Sequence, residues 1–348
     1  MALEISGLVK KLLDEARSRN ASDVHICSGS PVLYRIGKQL VPATVATLDP
    51  ESSKKLSFEL LTEEQKSQFE KQLDYDLMLA DEKGRYRVNI SYNDGKVGAV
   101  IRILSQDPKA INELYLPPIV EKLAHETKGL ILITGSTSQG KTTTLSAMVD
   151  YINHSEKKSI ITIEDPIEYV HQNKKSMIKQ REVGRDTKTF SSGLRAALRQ
   201  DPDVIGIGEM RDYDTIKTAL NAAETGVLVL STLHIISIDK IIERILSYAP
   251  SDEENHIKYL LADSLKGVIH QELLPTLAGG KRVACEVLIN TDASKNIIRG
   301  KGTFLLRNVM TTGSKHGMIT MKQSIEKLLA DKLISEDVAR GILVNYQT

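Results

Sequence analysis

The 348-residue chain has two cysteines, Cys27 and Cys285, no tryptophan and only four phenylalanines. The two cysteines lie far apart and neither sits in a C-x-x-C pair, which argues against a zinc site built on cysteines. A reduced, cytoplasmic setting is the expectation. Scarce large aromatics argue against a dedicated groove for stacking nucleic-acid bases. Charge of one sign is also missing: 46 basic and 45 acidic residues leave a formal net charge of +1. That balance gives no general argument for nucleic acid or an anionic membrane as partner. No apolar run approaches the ~20 residues needed to span a bilayer. The opening MALEISGLVKKLLDEARSRN is amphipathic and carries acids, unlike a secretory signal. Membrane contact is therefore expected only through partners.

What is present is a phosphate-binding pattern. Gly135, Ser136, Thr137, Ser138, Gln139, Gly140, Lys141 and Thr142 fit G-x-x-x-x-G-K-[ST] at every fixed position. The preceding run Leu130 to Thr134 is apolar and β-branched, as a buried parallel strand should be. The stretch that follows, Thr143 to Ile152, places Leu145, Met148, Val149 and Ile152 on one helical face. Strand, glycine loop and helix start occur in order. Backbone amides of such a loop wrap phosphates, and the helix N-terminus adds partial positive charge. Lys141 is expected to reach the β- and γ-phosphates of ATP, and the Thr142 hydroxyl to hold Mg²⁺.

Periodicity organises the rest. Ile5, Leu8, Val9, Leu12, Leu13 and Ala16 predict a helix over 5–18, followed by strands near 23–27 and 32–36. Helices are expected over 51–73. A hairpin is expected over 84–104, turned by Asn93-Asp94-Gly95. Residues 1–105 read as a small α+β domain and 106–118 as a linker ending in Leu116-Pro117-Pro118. Residues 119–348 read as an α/β domain around a largely parallel sheet. Its expected strands are 130–134, 159–163, 203–207 and 227–231. Helical stretches are expected at 190–200, 212–223, 237–247 and 254–270, with a last helical region over about 319–345.

Three further strand ends carry chemistry. Ile163-Glu164-Asp165 puts acids where Mg²⁺ or an attacking water would sit, the bland alternative being a solvated loop. The strand Val204 to Ile207 emerges at Gly208-Glu209. Glycine stands where a metal-binding Asp often precedes the Glu, so Glu209 is the candidate for polarising water. A salt bridge to Arg211 is the alternative. His234 follows the strand VLVLS and is placed to touch a γ-phosphate. Arg85, Arg87 and Arg102 lie on the predicted hairpin, and by the residues alone they decorate a solvated sheet face.

Together these segments resemble the type IV pilus retraction ATPases, the PilT group of secretion ATPases. The residues that carry the likeness are Ala21 to His25, GSTSQGKT, ITIEDPIEYVH (161–171) and Gln180 to Gly184. It continues through LRQDPDVIGIGEMRD (198–212), Ala222 to Gly226, Thr232-Leu233-His234 and TGSKHGMITM (312–321). The resemblance implies an N-terminal PAS-like domain joined to a RecA-like phosphate-loop ATPase domain, assembled as a homohexameric ring. It implies that Lys141 and Thr142 are the Walker A residues, Glu164 the acidic-box Glu, Glu209 the catalytic Glu and His234 the His-box residue. Arg87 and Arg102 match N-domain arginines that contact the γ-phosphate. The implied activity is ATP hydrolysis that powers pilus retraction and twitching motility. The implied place is the cytoplasmic side of the inner membrane, against a platform protein. Extension and type II relatives usually carry a tetracysteine zinc insert, which two cysteines cannot build. Two departures stand out. Ser136 and Ser138-Gln139 replace the common Pro and Gly-Ser, and Ala293 to Gly300 only partly echoes the motif AIRNLIRE. The competing readings are a nucleic-acid translocating ring, a pilus-extension or secretion ATPase, and a nucleotide-bound regulator.

Overall fold

The computed structural model describes residues 7–37, 39–104, 107–300 and 302–346. Ile5 of the expected first helix, and Ser105 and Gln106 of the expected linker region, lie outside them. The chain divides into two compact units, Met1–Asp107 and Pro108–Thr348.

The first unit runs α1 (Gly7–Ser18), β1 (Asp23–Ile26), β2 (Leu33–Ile36), β3 (Gln39–Pro42), α2 (Pro50–Phe58), α3 (Glu63–Gln72), β4 (Asp74–Asp81), β5 (Gly84–Asn93) and β6 (Lys96–Ile103). Among the described residues its antiparallel sheet has the order β3-β2-β1-β6-β5-β4. The apolar spacing of α1 buries Val9, Leu12, Leu13 and Ala16. Asp49 caps α2. Thr62 and Gln65 form a capping box that starts α3, which is why the apolar-poor stretch 51–73 breaks into two helices. Asp94 and Gly95 take positive φ (+51° and +71°), the geometry a two-residue hairpin turn requires. Tyr86, Val88 and Ile90 of β5 face the core, so Arg87 points to the open side. The periodicity did not announce β3 or β4. Acids at both ends of β4 obscure the buried pair Leu77 and Leu79.

The second unit runs α4 (Ile119–Ala124), β7 (Gly129–Thr134), α5 (Lys141–Ser155), β8 (Ser159–Glu164), β9 (Met177–Glu182), α6 (Phe190–Ala197), β10 (Val204–Ile207), α7 (Tyr213–Thr225), β11 (Leu228–Leu233), α8 (Ile241–Leu246), α9 (Glu254–Ser264), β12 (Leu265–Pro275), β13 (Lys281–Ile289), α10 (Asp292–Arg299), α11 (Leu306–Thr312), α12 (Met321–Ala330) and α13 (Glu336–Leu343). The sheet order is β13-β12-β7-β11-β10-β8-β9 among the described residues. Neighbours are parallel except β12 with β13. Every residue of β7 and β11 is buried, as apolar strands covered on both faces must be. The four expected strands are present, and the mixed α/β character follows.

Two expectations change. The helix expected over 254–270 ends at Ser264, and Leu265 begins β12. Pairing with β7 on one side and β13 on the other satisfies the backbone of 265–270, and this outweighs local helical spacing. Gly267 fits there because a Cβ would stand 3.0 Å from the Leu288 carbonyl. The expected linker is also no free tether. From Pro108 onward it belongs to the second unit, and Ile111 and Leu116 bury themselves beside β7 and α5. No helix among the described residues is long and apolar enough to cross a membrane.

Candidate functional site

The C-terminal ends of β7, β11, β10 and β8 lie side by side, and the candidate residues leave from those ends. Residues 135–140 join β7 to α5. Gly135 has φ +148°, and a Cβ there would meet the Gln271 carbonyl at 2.6 Å. Ser138 (φ +62°) and Gly140 (φ +81°) take the left-handed turns from which inward-facing amide concavities are built. Ser138 therefore occupies a conformation that glycine adopts freely, which is the cost of one departure noted above. Gln139, the next residue of the same departure, makes contacts of its own. Its side-chain carbonyl accepts from the Leu273 amide, and its backbone carbonyl accepts from Gln271 Nε2 at 2.6 Å. The loop is thereby tied to β12.

Gly140 stands at the N-cap of α5 and supplies no side-chain acceptor, so the first amides of that helix are left to an anion. Lys141, the first residue of the helix, is 6% exposed. Its ammonium donates to the Gly135 carbonyl at 3.0 Å, to the Ser136 carbonyl at 2.7 Å and to His234 Nδ1 at 3.3 Å. Burial pulls Lys141 below its ordinary pKa, and Glu209 opposes this. Thr143 shares a 3.0 Å hydrogen bond with Tyr169.

His234 follows β11, whose Leu233 pairs with Thr134 of β7. Its Nε2 lies 3.6 Å from Glu209 Oε2. Burial and the Lys141 charge hold its pKa below the usual value, while Glu209 pulls it up. A neutral ring with its proton on Nε2 satisfies both neighbours: Nδ1 accepts from Lys141 and Nε2–H points to Glu209. Glu209 Oε1 pairs with Arg211, so the salt bridge weighed against the catalytic reading is present beside it. Glu209 itself is 13% exposed, held between a guanidinium and an imidazole.

Glu164, at the end of β8, accepts from Thr162 Oγ1 at 2.6 Å and from Gln180 Nε2 at 2.9 Å. It is buried rather than solvated. Gly208 packs against its backbone: a Cβ there would lie 3.3 Å from the Ile163 carbonyl and 3.4 Å from Glu164 Cα. That close approach is a physical reason for glycine where an Asp is common.

Lys141, His234 and Glu209 thus meet directly, beside the loop residues Gly135 to Thr143. Arg87 and Arg102 belong to the first unit, where they oppose each other across β5 and β6. Arg102 Nε donates to Asp23 at 2.9 Å. Burial raises the Asp23 pKa, but hydrogen bonds from Ser22 and Arg102 bring it to a net value below the usual one. Residue patterns did not point to Gln271, Leu273 or Arg211 as supports of the site. The first two lie just beyond the stretch expected as helix, and their role exists only through strand pairing.

The residues present fit a nucleotide with Mg²⁺. The loop has left-handed turns, a side-chain-free helix start and a buried lysine. No group of three or more His, Cys, Asp or Glu side chains among the described residues is arranged to hold a metal. Mg²⁺ in such sites takes most of its ligands from phosphate and water, so the Thr142 hydroxyl with substrate oxygens suffices.

A parallel sheet, a glycine loop between strand and helix, and an acid and a histidine at neighbouring strand tips define a phosphate-loop nucleotide-binding protein. The chain belongs to the type II/IV secretion system protein family, whose profile matches residues 3–340, and within it to the PilT group. It is 38% identical over 95% of its length to the type IV pilus retraction ATPase PilT of Pseudomonas aeruginosa, covering 97% of that protein. To the type IV pilus ATPase PilU of the same organism it is 36% identical, covering 92% of this chain and 84% of that one. The crystal structure of the pilus retraction motor PilT with bound ADP superposes with a TM-score of 0.88 at 40% identity, covering 96% of each chain.

Proposed function

We propose that this chain is the ATPase subunit of a motor that powers type IV pilus retraction. The observation that carries the proposal is the Lys141–His234–Glu209 cluster at the mouth of the loop, in a chain that matches a retraction ATPase almost end to end. The first unit is read as a PAS-like domain and the second as a RecA-like ATPase domain. The working assembly is read as a homohexamer docked on an inner-membrane platform protein.

The residues divide the chemistry. Amides of the loop and of the α5 start bind the phosphates of ATP. Lys141 exchanges the Gly135 and Ser136 carbonyls for β- and γ-phosphate oxygens. Bound through Thr142, Mg²⁺ would neutralise charge on those oxygens. Glu209, aligned by Arg211, accepts a hydrogen bond from the attacking water and orients it in line with the γ-phosphorus. His234 links Lys141 to Glu209, so departure of the γ-phosphate is felt at both. Glu164 buttresses the adjacent strand end through Thr162 and Gln180. Arg87 and Arg102 are proposed to add charge to the γ-phosphate.

The test is a clean deletion, scored for surface pili and twitching and complemented with the wild-type gene. Excess pili without motility is the expected result. Bald cells would overturn retraction in favour of extension.

A further inference from the structure

His270 stands opposite Thr134 in the ladder between β12 and β7. Its Nδ1 lies 3.0 Å from Thr134 Oγ1, and its Nε2 lies 3.1 Å from the Tyr346 hydroxyl. Tyr346 sits in the 3₁₀ turn Val344–Tyr346 that follows α13. Its hydroxyl donates to Glu272 Oε1 at 2.6 Å. Proton placement follows from that end, because a carboxylate offers only acceptors. With the Tyr346 proton committed to Glu272, its oxygen accepts from His270 Nε2–H. The Nδ1 of a neutral imidazole then accepts from the Thr134 hydroxyl. Burial and the Lys141 charge keep His270 neutral, at about 4, with Asp239 opposing. All four groups therefore have one consistent direction of donation.

The same strand grips the loop elsewhere. Gln271 and Leu273 hold Gln139, and the Gln271 carbonyl abuts Gly135. Tyr346, Glu272, Gln139 and Ser136 also line one cleft of about 930 Å³. We propose that Tyr346 is a positioning residue: through His270 and Thr134 it sets the root of the phosphate loop, and so tunes nucleotide affinity. This rests on the reading of Gly135–Thr142 as a nucleotide site. Without the phenol, the buried His270 Nε2–H has no partner. The tautomer then reverses, Thr134 loses its acceptor, and the loop root is no longer held in one arrangement.

The experiment uses the full chain and the variants Tyr346→Phe, Thr134→Val and their double, each checked for a wild-type melting temperature. Steady-state ATPase and calorimetric ADP titration are the readouts. Each single change is expected to raise KM for ATP and Kd for ADP about fivefold, with kcat within about twofold of wild type. The double variant is expected to be no worse than the larger single, because both ends belong to one relay. Glu272→Gln keeps an acceptor for Tyr346 and is expected to retain wild-type KM. An unchanged KM in Tyr346→Phe, or effects that multiply in the double variant, overturns the relay. Nucleotide binding by wild type that Lys141→Ala abolishes upholds the site whatever the relay variants do, so the two ideas fail separately.

Discussion

In the second unit the candidate charges stand at the tips of strands buried on both faces, whereas in the first unit they stand along the open face of an antiparallel sheet. Lys141 is 6% exposed and Glu209 13%, each held by several partners. The Arg102 side chain is 62% exposed and opposes Arg87 directly across the ladder. The buried groups are aimed in advance, so little reorganisation remains for them during reaction. Arg102 already has Asp23 as a partner and both arginines stay largely exposed, so any further contribution depends on what approaches them. The first arrangement suits chemistry and the second suits sensing of charge.

That contrast can be broken experimentally. The largest effect is expected at the buried site: Glu209→Gln should cut kcat by about 10²–10³ while ADP affinity, read by calorimetry, stays near wild type. Equal turnover by that variant would make the chain a nucleotide-bound regulator. If Arg87 serves the γ-phosphate as proposed, Arg87→Ala should lower kcat by about tenfold or more with ADP binding unchanged, because ADP carries no γ-phosphate. Normal hydrolysis there would confine the active chemistry to the second unit. Gln139→Ala releases the loop from β12 and should raise KM for ATP by about three- to fivefold.

Proton linkage separates the two units further. Burial raises Glu286 of β13 to about 7. A raised carboxyl binds its proton more tightly in the folded state. Its stabilisation is complete below the unfolded value and is lost as pH rises through about 7. Asp23 has the opposite sign: its stabilisation is present above the unfolded value and is lost as pH falls through the depressed one. Thermal melts should therefore show Glu286→Gln gaining on wild type as pH rises toward about 7, and Asp23→Asn losing at neutral pH. Parallel pH curves for the two variants would contradict this assignment. The smallest effect is expected at Ser138→Gly, which relieves a left-handed serine and should raise the melting temperature by about 1–3 °C.

Much of this was readable beforehand, though unevenly. The four central strands announced themselves as short apolar runs, and the loop as eight residues in a known spacing. β12 did not, because Leu265 to His270 has no turn signal before it and continues a helical pattern from α9. Lys141, Glu209 and His234 are each legible as candidates, but the contacts that join His234 to the other two are not. By spacing Arg211 reads as a rival to catalysis at Glu209, and in the structure it pairs with that carboxylate.

The amino-acid order alone determined the local features: which segments bury an apolar face, where glycine frees the backbone, and which side chains carry charge. These depend on neighbours within a turn or a strand. Only the tertiary structure decided that Gln139 is clasped by β12, that His234 bridges Lys141 and Glu209, and that Tyr346 reaches Thr134 through His270. Except for His234 with Glu209, 25 positions apart, each of these contacts joins residues about 70 or more positions apart. For His234, Gln139 and His270, the parallel pairing of β7 with β11 and β12 supplies the proximity that local spacing cannot encode.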